Sequence, residues 1–253
     1  PWSLGNLSNL YYLALYDNSL TGPIPWSLSN LEVLVSFNVS SNRLSGTIPA
    51  ALVNSISLRE IDMSYNALEG TLSTNFFNQS EELNTIMLSN NNLGGSFPFD
   101  SLLPTIRQLV IGSNKFTGNI NAMEGIADLG SLTTIDISFN NFGGSFPTRL
   151  LLKAPSLTTF VVGFNCFQGS LDEAICNSTQ LRTFSAPGLT SGESCKQPIW
   201  KGSALFHAFP AFTVNYLDGT VPQCLFGMPN ITNIIISGNG LLGKIPAVGI
   251  APS

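Results

Sequence analysis

The one histidine in the 253-residue chain, His207, is the first residue whose chemistry could belong to an enzyme. A histidine base activates a serine or cysteine nucleophile when a third group orients its ring. His207 lies instead among three phenylalanines, Phe206, Phe209 and Phe212, and the sequence supplies no orienting partner. We therefore interpret His207 as a packed or surface residue and predict no catalytic residues.

Three carboxylates are the next candidates for acid–base chemistry. Glu60 and Asp62 flank Ile61, so on a strand both point to the same face. Asp136 occupies the place of Asp62 three repeats later, about 14 Å away at about 4.8 Å per repeat, which is beyond the separation that glycosidase carboxylates use. Glu60 with Asp62 stays open as a paired site, but a solvated acidic patch is favoured because no companion acid or aromatic subsite accompanies them.

Four cysteines, Cys166, Cys176, Cys195 and Cys224, lie in the last third of the chain. They form no Cys-x-x-Cys pair and have no histidine at zinc-ligand spacing, so we predict no metal site. Their clustering indicates disulfides in an oxidising compartment. The alternative is reduced, buried thiols in a cytosolic protein.

The segment Gly238–Gly243 fits the Gly-x-Gly-x-x-Gly pattern and follows the apolar residues Ile234–Ile236. A dinucleotide site would need a long helix opening there and an acidic residue about 20 positions later. Neither follows, so these glycines are interpreted as repeat positions and we predict no cofactor.

Composition excludes two classes of partner. Only 10% of residues are charged, and 15 acidic against 10 basic residues give a net charge of −5. Nucleic-acid binding needs a basic face, so it is not expected. No apolar run approaches the length of about 18 residues that a membrane span needs, so no span is predicted in this chain.

Asparagines recur at a nearly constant interval and reveal internal repeats. The spacings are 24, 24, 25, 23, 26, 25, 50 and 24 residues. The asparagines concerned are Asn18, Asn42, Asn66, Asn91, Asn114, Asn140, Asn165, Asn215 and Asn239. We interpret the 50-residue interval as two periods, with a degenerate repeat whose strand is Leu181–Ala186 and whose asparagine is replaced by Leu189. This gives about ten repeats of 23–26 residues.

Each repeat reads Leu-x-x-Leu-x-Leu-x-x-Asn-x-Leu and continues as Gly-x-Ile-Pro, as in Leu10–Pro25 and Leu34–Pro49. This pattern resembles the plant-type leucine-rich repeat of receptor-kinase ectodomains and polygalacturonase-inhibitor proteins. Ser73, Asn121 and Asp172 stand where proline is expected, and residues 187–212 fit poorly.

The repeat predicts a β-dominated α/β solenoid. Leu13 and Leu15 alternate inward on a short strand, and successive strands stack as a parallel sheet on the concave face. Short helical or 3₁₀ turns are expected on the convex side. We expect one solenoid over residues 1–253, truncated at both ends because Pro1–Leu7 matches the turn Pro25–Leu31.

Stacking also restricts the disulfides. With two repeat steps between Cys176 and Cys224, or between Cys166 and Cys224, the separation of about 10 Å exceeds the reach of a disulfide, about 7 Å. The full pairing consistent with stacking is Cys166–Cys176 with Cys195–Cys224, and a single Cys176–Cys195 bridge is the competing possibility.

Five Asn-x-Ser/Thr sequons favour a secreted or cell-surface glycoprotein, since they accompany several cysteines and scarce charge. We predict glycosylation at Asn6, Asn38, Asn78, Asn177 and Asn230. Asn38 differs from the others because it lies between Phe37 and Val39 on a predicted concave strand. A glycan there would obstruct the early part of that face.

Outward strand positions supply the candidate ligand-binding residues: Tyr12, Tyr16, Glu60, Asp62, Tyr65, Asp136, Phe139 and Phe164. Aromatic residues are favoured anchors at interfaces. The alternative that these aromatics merely cover strand edges stays equally open. A second ladder, from Thr47 and Thr71 to Ser170, is interpreted as an ordinary surface of small polar residues.

These features, and above all the resemblance, imply a non-catalytic extracellular or cell-surface recognition module. Its partner would be a protein, peptide or glycan, bound through the concave face and its flank. The alternative is a structural subunit of a wall, sheath or filament glycoprotein that assembles with copies of itself, which the low surface charge favours.

Overall fold

Apolar side chains at alternate strand positions wind the chain into a coil of stacked rungs, one rung per repeat. The structure, a computed structural model, describes residues 1–188 and 217–245. Inward residues such as Leu109, Ile111, Ile135 and Ile137 are fully buried. The predicted solenoid is confirmed.

Nine parallel strands form the concave sheet in chain order. They are β1 (Tyr12–Ala14), β3 (Ser36–Asn38), β5 (Glu60–Asp62), β7 (Thr85–Met87), β9 (Gln108–Val110), β11 (Thr134–Asp136), β13 (Thr159–Val161), β15 (Thr183–Ser185) and β17 (Asn233–Ile235). Equivalent repeat positions pair directly, as Tyr12 with Ser36 and Asp136 with Val161. The predicted columns of outward side chains therefore exist.

A second parallel sheet of eight strands follows the first around the coil. Its strands are β2 (Thr21–Gly22), β4 (Arg43–Gly46), β6 (Ala67–Thr71), β8 (Asn92–Ser96), β10 (Lys115–Gly118), β12 (Asn141–Ser145), β14 (Cys166–Ser170) and β16 (Leu217–Asp218). Here pairing is offset by two repeat positions, as between Thr21 and Arg43.

Short helical turns complete the convex side. Described 3₁₀ turns are Trp2–Asn6, Trp26–Asn30, Ala50–Asn54, Phe99–Ser101, Ile120–Gly125, Glu173–Asn177 and Gln223–Gly227, and α1 spans Thr148–Lys153. Asp172, which stands in a proline position, caps its turn by accepting a hydrogen bond from the Ala174 N–H at 2.9 Å. A side-chain cap thus replaces the proline that starts most other turns.

The repeated asparagine joins each rung to the one before it. The Asn140 amide donates to Ile111, Ile137 and Ser138 carbonyls, and its Oδ1 accepts from the Phe116 N–H. The same set recurs at Asn42, Asn66, Asn91 and Asn114. Because each bond set crosses to the preceding rung, the asparagines hold the stack in register.

Glycines of the second sheet make room for the small polar ladder beside them. A Cβ on Gly70 or Gly95 would lie 2.8 Å or 2.7 Å from the Cγ2 atom of Thr47 or Thr71, one rung earlier. Both glycines also have positive φ, +89° and +74°. The ladder and the glycines are therefore two halves of one contact between rungs.

The 50-residue interval does not hold two stacked rungs in the concave sheet. Strand β15 pairs directly with β17, with Thr183 opposite Asn233. Strand β16 pairs with β14 in the second sheet. The described residues therefore contribute nine stacked strands to the concave sheet, one fewer than the ten repeats expected over the whole chain. Leu189 and Asn215 lie outside the described residues.

The direct pairing of β15 with β17 also brings together two cysteines whose pairing was not predicted. Cys176 is bonded to Cys224, with Cα atoms 5.8 Å apart. The turns that carry them are one rung apart, not two, because β15 neighbours β17. The Cys166–Cys176 and Cys195–Cys224 pairs and the competing Cys176–Cys195 bridge are therefore wrong. Cys166 is also disulfide-bonded, whereas Cys195 and His207 lie outside the described residues.

Candidate functional site

The outward faces of the concave strands form an open surface with little charge. Among the described strand residues, Glu60, Asp62 and Asp136 carry its negative charges, on β5 and β11. Each of these three side chains is half-buried. Most other outward positions are small or uncharged polar residues, and the larger apolar or aromatic exceptions are Tyr12, Met87, Val110, Val161 and Ile235.

Asp62 and Asp136 each accept a hydrogen bond from the backbone of their own rung. Each Oδ1 accepts a hydrogen bond at 3.0 Å from the backbone N–H two residues later, that of Ser64 or Ser138. The Ser138 hydroxyl donates to the same Asp136 oxygen at 2.6 Å. These carboxylates cap the strand ends as Asx turns, which sequence analysis did not predict.

Glu60 and Asp62 share a face of β5 as predicted. The Ser36 hydroxyl, one rung earlier, donates to Glu60 Oε2 at 3.4 Å, and Arg59 pairs with Glu82 at 3.6 Å on the exposed flank. Asp136 lies three rungs away, as the register through β7 and β9 shows. The structure therefore separates an acidic pair at β5 from a single carboxylate at β11.

One column at the edge of the concave sheet has left-handed backbone in every described rung before β15. We call it the edge column; φ lies between 52° and 57° at Asp17, Ser41, Tyr65, Asn90, Ser113, Phe139 and Phe164. For a side chain larger than glycine this conformation costs about 1–2 kcal/mol. The asparagine that follows each of them turns the chain into the second sheet.

Phe139 and Phe164 are neighbours in the edge column, and their rings stack. The ring centroids are 4.3 Å apart with an interplanar angle of 18°. Phe139 is nevertheless 53% exposed, whereas the core phenylalanines Phe142 and Phe167 of the same rungs are fully buried. Phe164 is half-buried, so the pair is a partly exposed apolar platform on left-handed backbone, with Asp136 on the rung of Phe139.

The other predicted aromatic residues lie apart from this platform. Tyr65 is 60% exposed in the edge column near Glu60 and Asp62. Tyr12 and Tyr16 are exposed on the first described rung, where the Tyr11 ring packs edge-on against Tyr12 at 4.7 Å. The structure thus groups the predicted residues into three clusters along the face.

One exposed aromatic pair was not predicted from the sequence. The Trp2 and Trp26 rings lie 6.0 Å apart on successive convex turns, and each is more than half exposed. The signal was present, because the match of Pro1–Leu7 to Pro25–Leu31 puts both tryptophans at one repeat position.

The five sequons differ in where they lie. Asn6, Asn78, Asn177 and Asn230 are exposed and lie in convex turns or just after them. Asn38 is half-buried within β3, between Ala14 and Asp62 in its column. Glycosylation at all five remains a prediction.

Two kinds of feature are absent from the part of the chain that the structure covers. No helix there has the length and apolar character that crossing a membrane requires. No cluster of three or more His, Cys, Asp or Glu side chains there could hold a metal ion.

Comparison with known proteins identifies the repeats. The Leucine Rich Repeat family model matches residues 9–31, 33–55, 57–79 and 131–151. No match was found among curated proteins.

Solved structures match nearly the whole coil. The PEPR1–AtPEP1 structure is 27% identical with a TM-score of 0.78, covering 95% of this chain and 30% of that one. The plant peptide hormone receptor RGFR1 in complex with RGF2 is 25% identical with a TM-score of 0.73, covering 95% and 38%. A plant ice-binding protein is 26% identical with a TM-score of 0.63, covering 76% and 63%.

The chain spans 30% of the length of the one receptor chain and 38% of the other. The predicted resemblance is confirmed by the repeated family matches and by these structures together. Four segments of the chain thus match the Leucine Rich Repeat model, and the chain shares its solenoid fold with plant receptor ectodomains.

Proposed function

We propose that this chain is a recognition module outside the cell that binds a peptide, or an extended segment of a protein, along its concave face. The observation that carries the proposal is the stacked Phe139–Phe164 pair. A similar fold binds RGF2 in the receptor RGFR1, described as a peptide hormone receptor. The exposed sequons and the Cys176–Cys224 disulfide support an extracellular location.

The stacking of the Phe139 and Phe164 rings and the backbone that carries them have opposite effects on the stability of the fold. A stacked aromatic pair contributes about 0.5–1.5 kcal/mol, while each left-handed residue costs about 1–2 kcal/mol. Ser41 and Ser113 have the same left-handed φ, so the backbone strain belongs to the repeat. What distinguishes Phe139 and Phe164 is aromatic surface that a partner can bury.

The surroundings of the pair indicate what kind of segment fits. Val110 and Val161 flank Asp136 in its column. One carboxylate oxygen of Asp136 accepts hydrogen bonds from Ser138, and its column neighbours Val110 and Val161 are uncharged. A segment with an apolar residue next to a basic one would place the apolar side chain on Phe139 and Phe164. Its basic side chain would then lie near Asp136.

The test is selection of peptides from a phage-displayed random library on the secreted, full chain. Peptides that it retains should lose at least about tenfold in affinity on the Phe139→Ala/Phe164→Ala variant, equivalent to about 1.4 kcal/mol. Trp26→Ala is the control, since it removes an exposed aromatic side chain from the convex side. Peptides that bind both variants like the parent chain would contradict the proposal.

The structural-subunit alternative makes a different prediction for the protein alone. A subunit of a wall or filament assembles without any other partner, whereas a recognition module stays monomeric. Sedimentation of the glycosylated chain at micromolar concentration distinguishes them. We propose a non-catalytic role in either case, because no described residues form a base, nucleophile and orienting group.

A second candidate function is ice binding, favoured by the ladder on the second sheet. Thr47, Thr71, Ser96, Asn119, Ser145 and Ser170 are all exposed and uncharged in successive rungs. A plant ice-binding protein shares the fold at 26% identity. Inhibition of ice recrystallisation by the chain, lost on Thr71→Lys, tests this candidate separately from peptide binding.

A further inference from the structure

We propose that Asn38 carries an N-linked glycan on the concave face, and that this glycan closes the rungs of β1, β3 and β5 to a ligand. The second half of this statement rests on the proposed function, because it confines the peptide to the rungs around Phe139 and Phe164. The first half concerns only the chain and its modification.

Asn38 has a different hydrogen-bonding pattern from the structural asparagines around it. Asn42 and Asn66 each donate through Nδ2 to three backbone carbonyls. Within the described part of the chain, Nδ2 of Asn38 donates to no acceptor, while its Oδ1 accepts two hydrogen bonds. The nitrogen that a glycan would modify is thus not used by the fold.

The two hydrogen bonds come from the hydroxyl residue of the same sequon. The Ser40 hydroxyl donates to Asn38 Oδ1 at 2.8 Å, and the Ser40 N–H donates at 3.0 Å. Both bonds fix the carbonyl side of the amide at the strand end, so Nδ2 is held on the other side. A substituent on Nδ2 would leave both contacts intact.

The fold itself does not call for an amide at this position. Asp62 and Asp136 occupy the same column and make the same strand-end contact with Ser64 and Ser138. A carboxylate therefore serves the turn as well as an amide does. The asparagine adds one thing that aspartate lacks, which is a nitrogen that can carry a sugar.

The neighbours leave room for a branched substituent. Ala14 precedes Asn38 in its column and contributes only a methyl group, and Asp62 follows it. Rungs are about 4.8 Å apart, so an oligosaccharide rooted at β3 covers both adjacent rungs. Tyr12, Tyr16 and Tyr65 would lie beneath or beside it, whereas Phe139 lies three rungs beyond β5.

The modification is a group transfer from a polyprenyl-diphosphate-linked oligosaccharide. The Asn38 nitrogen forms a bond to the anomeric carbon of the first sugar, and the bond from that carbon to the diphosphate oxygen breaks. The polyprenyl diphosphate leaves with the electron pair, and one amide proton passes to a base of the transferase. The Asn38 carbonyl oxygen is unchanged and keeps its contacts with Ser40.

The first test is glycopeptide mass spectrometry of the full chain secreted from insect cells. Cleavage after glutamate gives peptide 33–60 with Asn38 as its one sequon and peptide 70–81 with Asn78 as its one sequon. We expect a glycan on both peptides. Ser40→Thr should keep the glycan on peptide 33–60, and Ser40→Ala should remove it from that peptide alone. A bare Asn38 in the secreted parent chain, whatever the state of Asn78, overturns the proposal.

The second test measures shielding by hydroxyl-radical labelling, with Asn38→Asp as the glycan-free variant that retains the strand-end contact. Because a glycan is bulky, labelling of Tyr12 and Tyr65 should rise at least about twofold in the variant, with Phe139 unchanged. Equal labelling of the tyrosines in an occupied parent chain overturns the shielding. No ligand enters either test, so failure of peptide binding leaves both results standing.

Discussion

The side-chain amide of Asn140 donates to the backbone carbonyl of Ile111, one full rung earlier, at 3.0 Å. This bond belongs to a set of four that Asn140 makes while only 3% exposed. From Asn42 to Asn165, one polar side chain per rung thus connects each rung to the one before it.

Replacing Asn140 with alanine should lower the free energy of unfolding by about 2–3 kcal/mol. The carbonyls of Ile111, Ile137 and Ser138 each lose one of two donors, and the buried Phe116 N–H loses its side-chain acceptor. Asn18 is the matched control, since it occupies the same repeat position but donates only within its own exposed turn. Asn18→Ala should cost less than about 1 kcal/mol. Urea unfolding followed by circular dichroism measures both, and equal losses would argue against a special role for the bond between rungs.

Gly95→Ala should cost about 2–3 kcal/mol, because it combines a positive φ with a clash against the Thr71 methyl group. Gly169 has φ +97° and nothing within 4 Å of a built Cβ. Its alanine variant should therefore show the strain alone, about 1 kcal/mol. Thr71→Ser in the Gly95→Ala background removes the clashing methyl group and should restore part of the difference. If this second substitution restores no stability, the contact between ladder and glycine is not the cause.

Phe139→Gly should leave the free energy of unfolding unchanged within about 0.5 kcal/mol, since relief of the left-handed backbone offsets the lost stacking. Phe142→Ala, three residues away and fully buried, should cost about 3–5 kcal/mol. Thermal denaturation of the two variants compares them directly. A large loss at Phe139 would mean that its ring serves the fold and not a partner.

Removing the disulfide with Cys176→Ser/Cys224→Ser should lower stability by about 2–4 kcal/mol, because the bond closes a loop of 48 residues. The double variant leaves no new unpaired thiol from this bond. Calorimetry of the double variant beside the parent chain gives the difference in Tm. An unchanged Tm would show that sheet pairing alone holds these two rungs together.

Asp136→Asn should keep the strand-end contacts with Ser138 and change stability by less than about 0.5 kcal/mol, whereas Asp136→Ala should cost about 1–2 kcal/mol. Only the charge distinguishes the asparagine variant from the parent chain. Peptides that are selected on the parent chain and place a basic residue near Asp136 should therefore bind the Asp136→Asn variant more weakly. Equal binding of such peptides would remove Asp136 from the proposed site.

Strand positions and their columns follow from the sequence because the asparagine period fixes them. Tyr12 opposite Ser36 and Thr134 opposite Thr159 are consequences of a constant repeat. The interval of 50 residues is ambiguous because two short rungs and one long rung have the same length. Only the pairing of Thr183 with Asn233 distinguishes them, and the error in the disulfide pairing has the same origin.

The candidate site was partly predictable. Phe139 and Phe164 were expected as column neighbours, but their stacking depends on backbone dihedral angles that the pattern does not contain. The capping role of Asp62 and Asp136 was missed, although each is followed two residues later by serine. A ligand contact and a strand-end cap use the same residue types, so spacing alone cannot separate them.

The Cys176–Cys224 bond connects residues on opposite sides of the long connection between β15 and β16. A single peptide-bond cleavage anywhere in that connection would therefore leave both fragments covalently attached. The nicked molecule would migrate as one species on a non-reducing gel and as two after reduction. Proteolytic maturation within this rung would thus be compatible with an undivided coil.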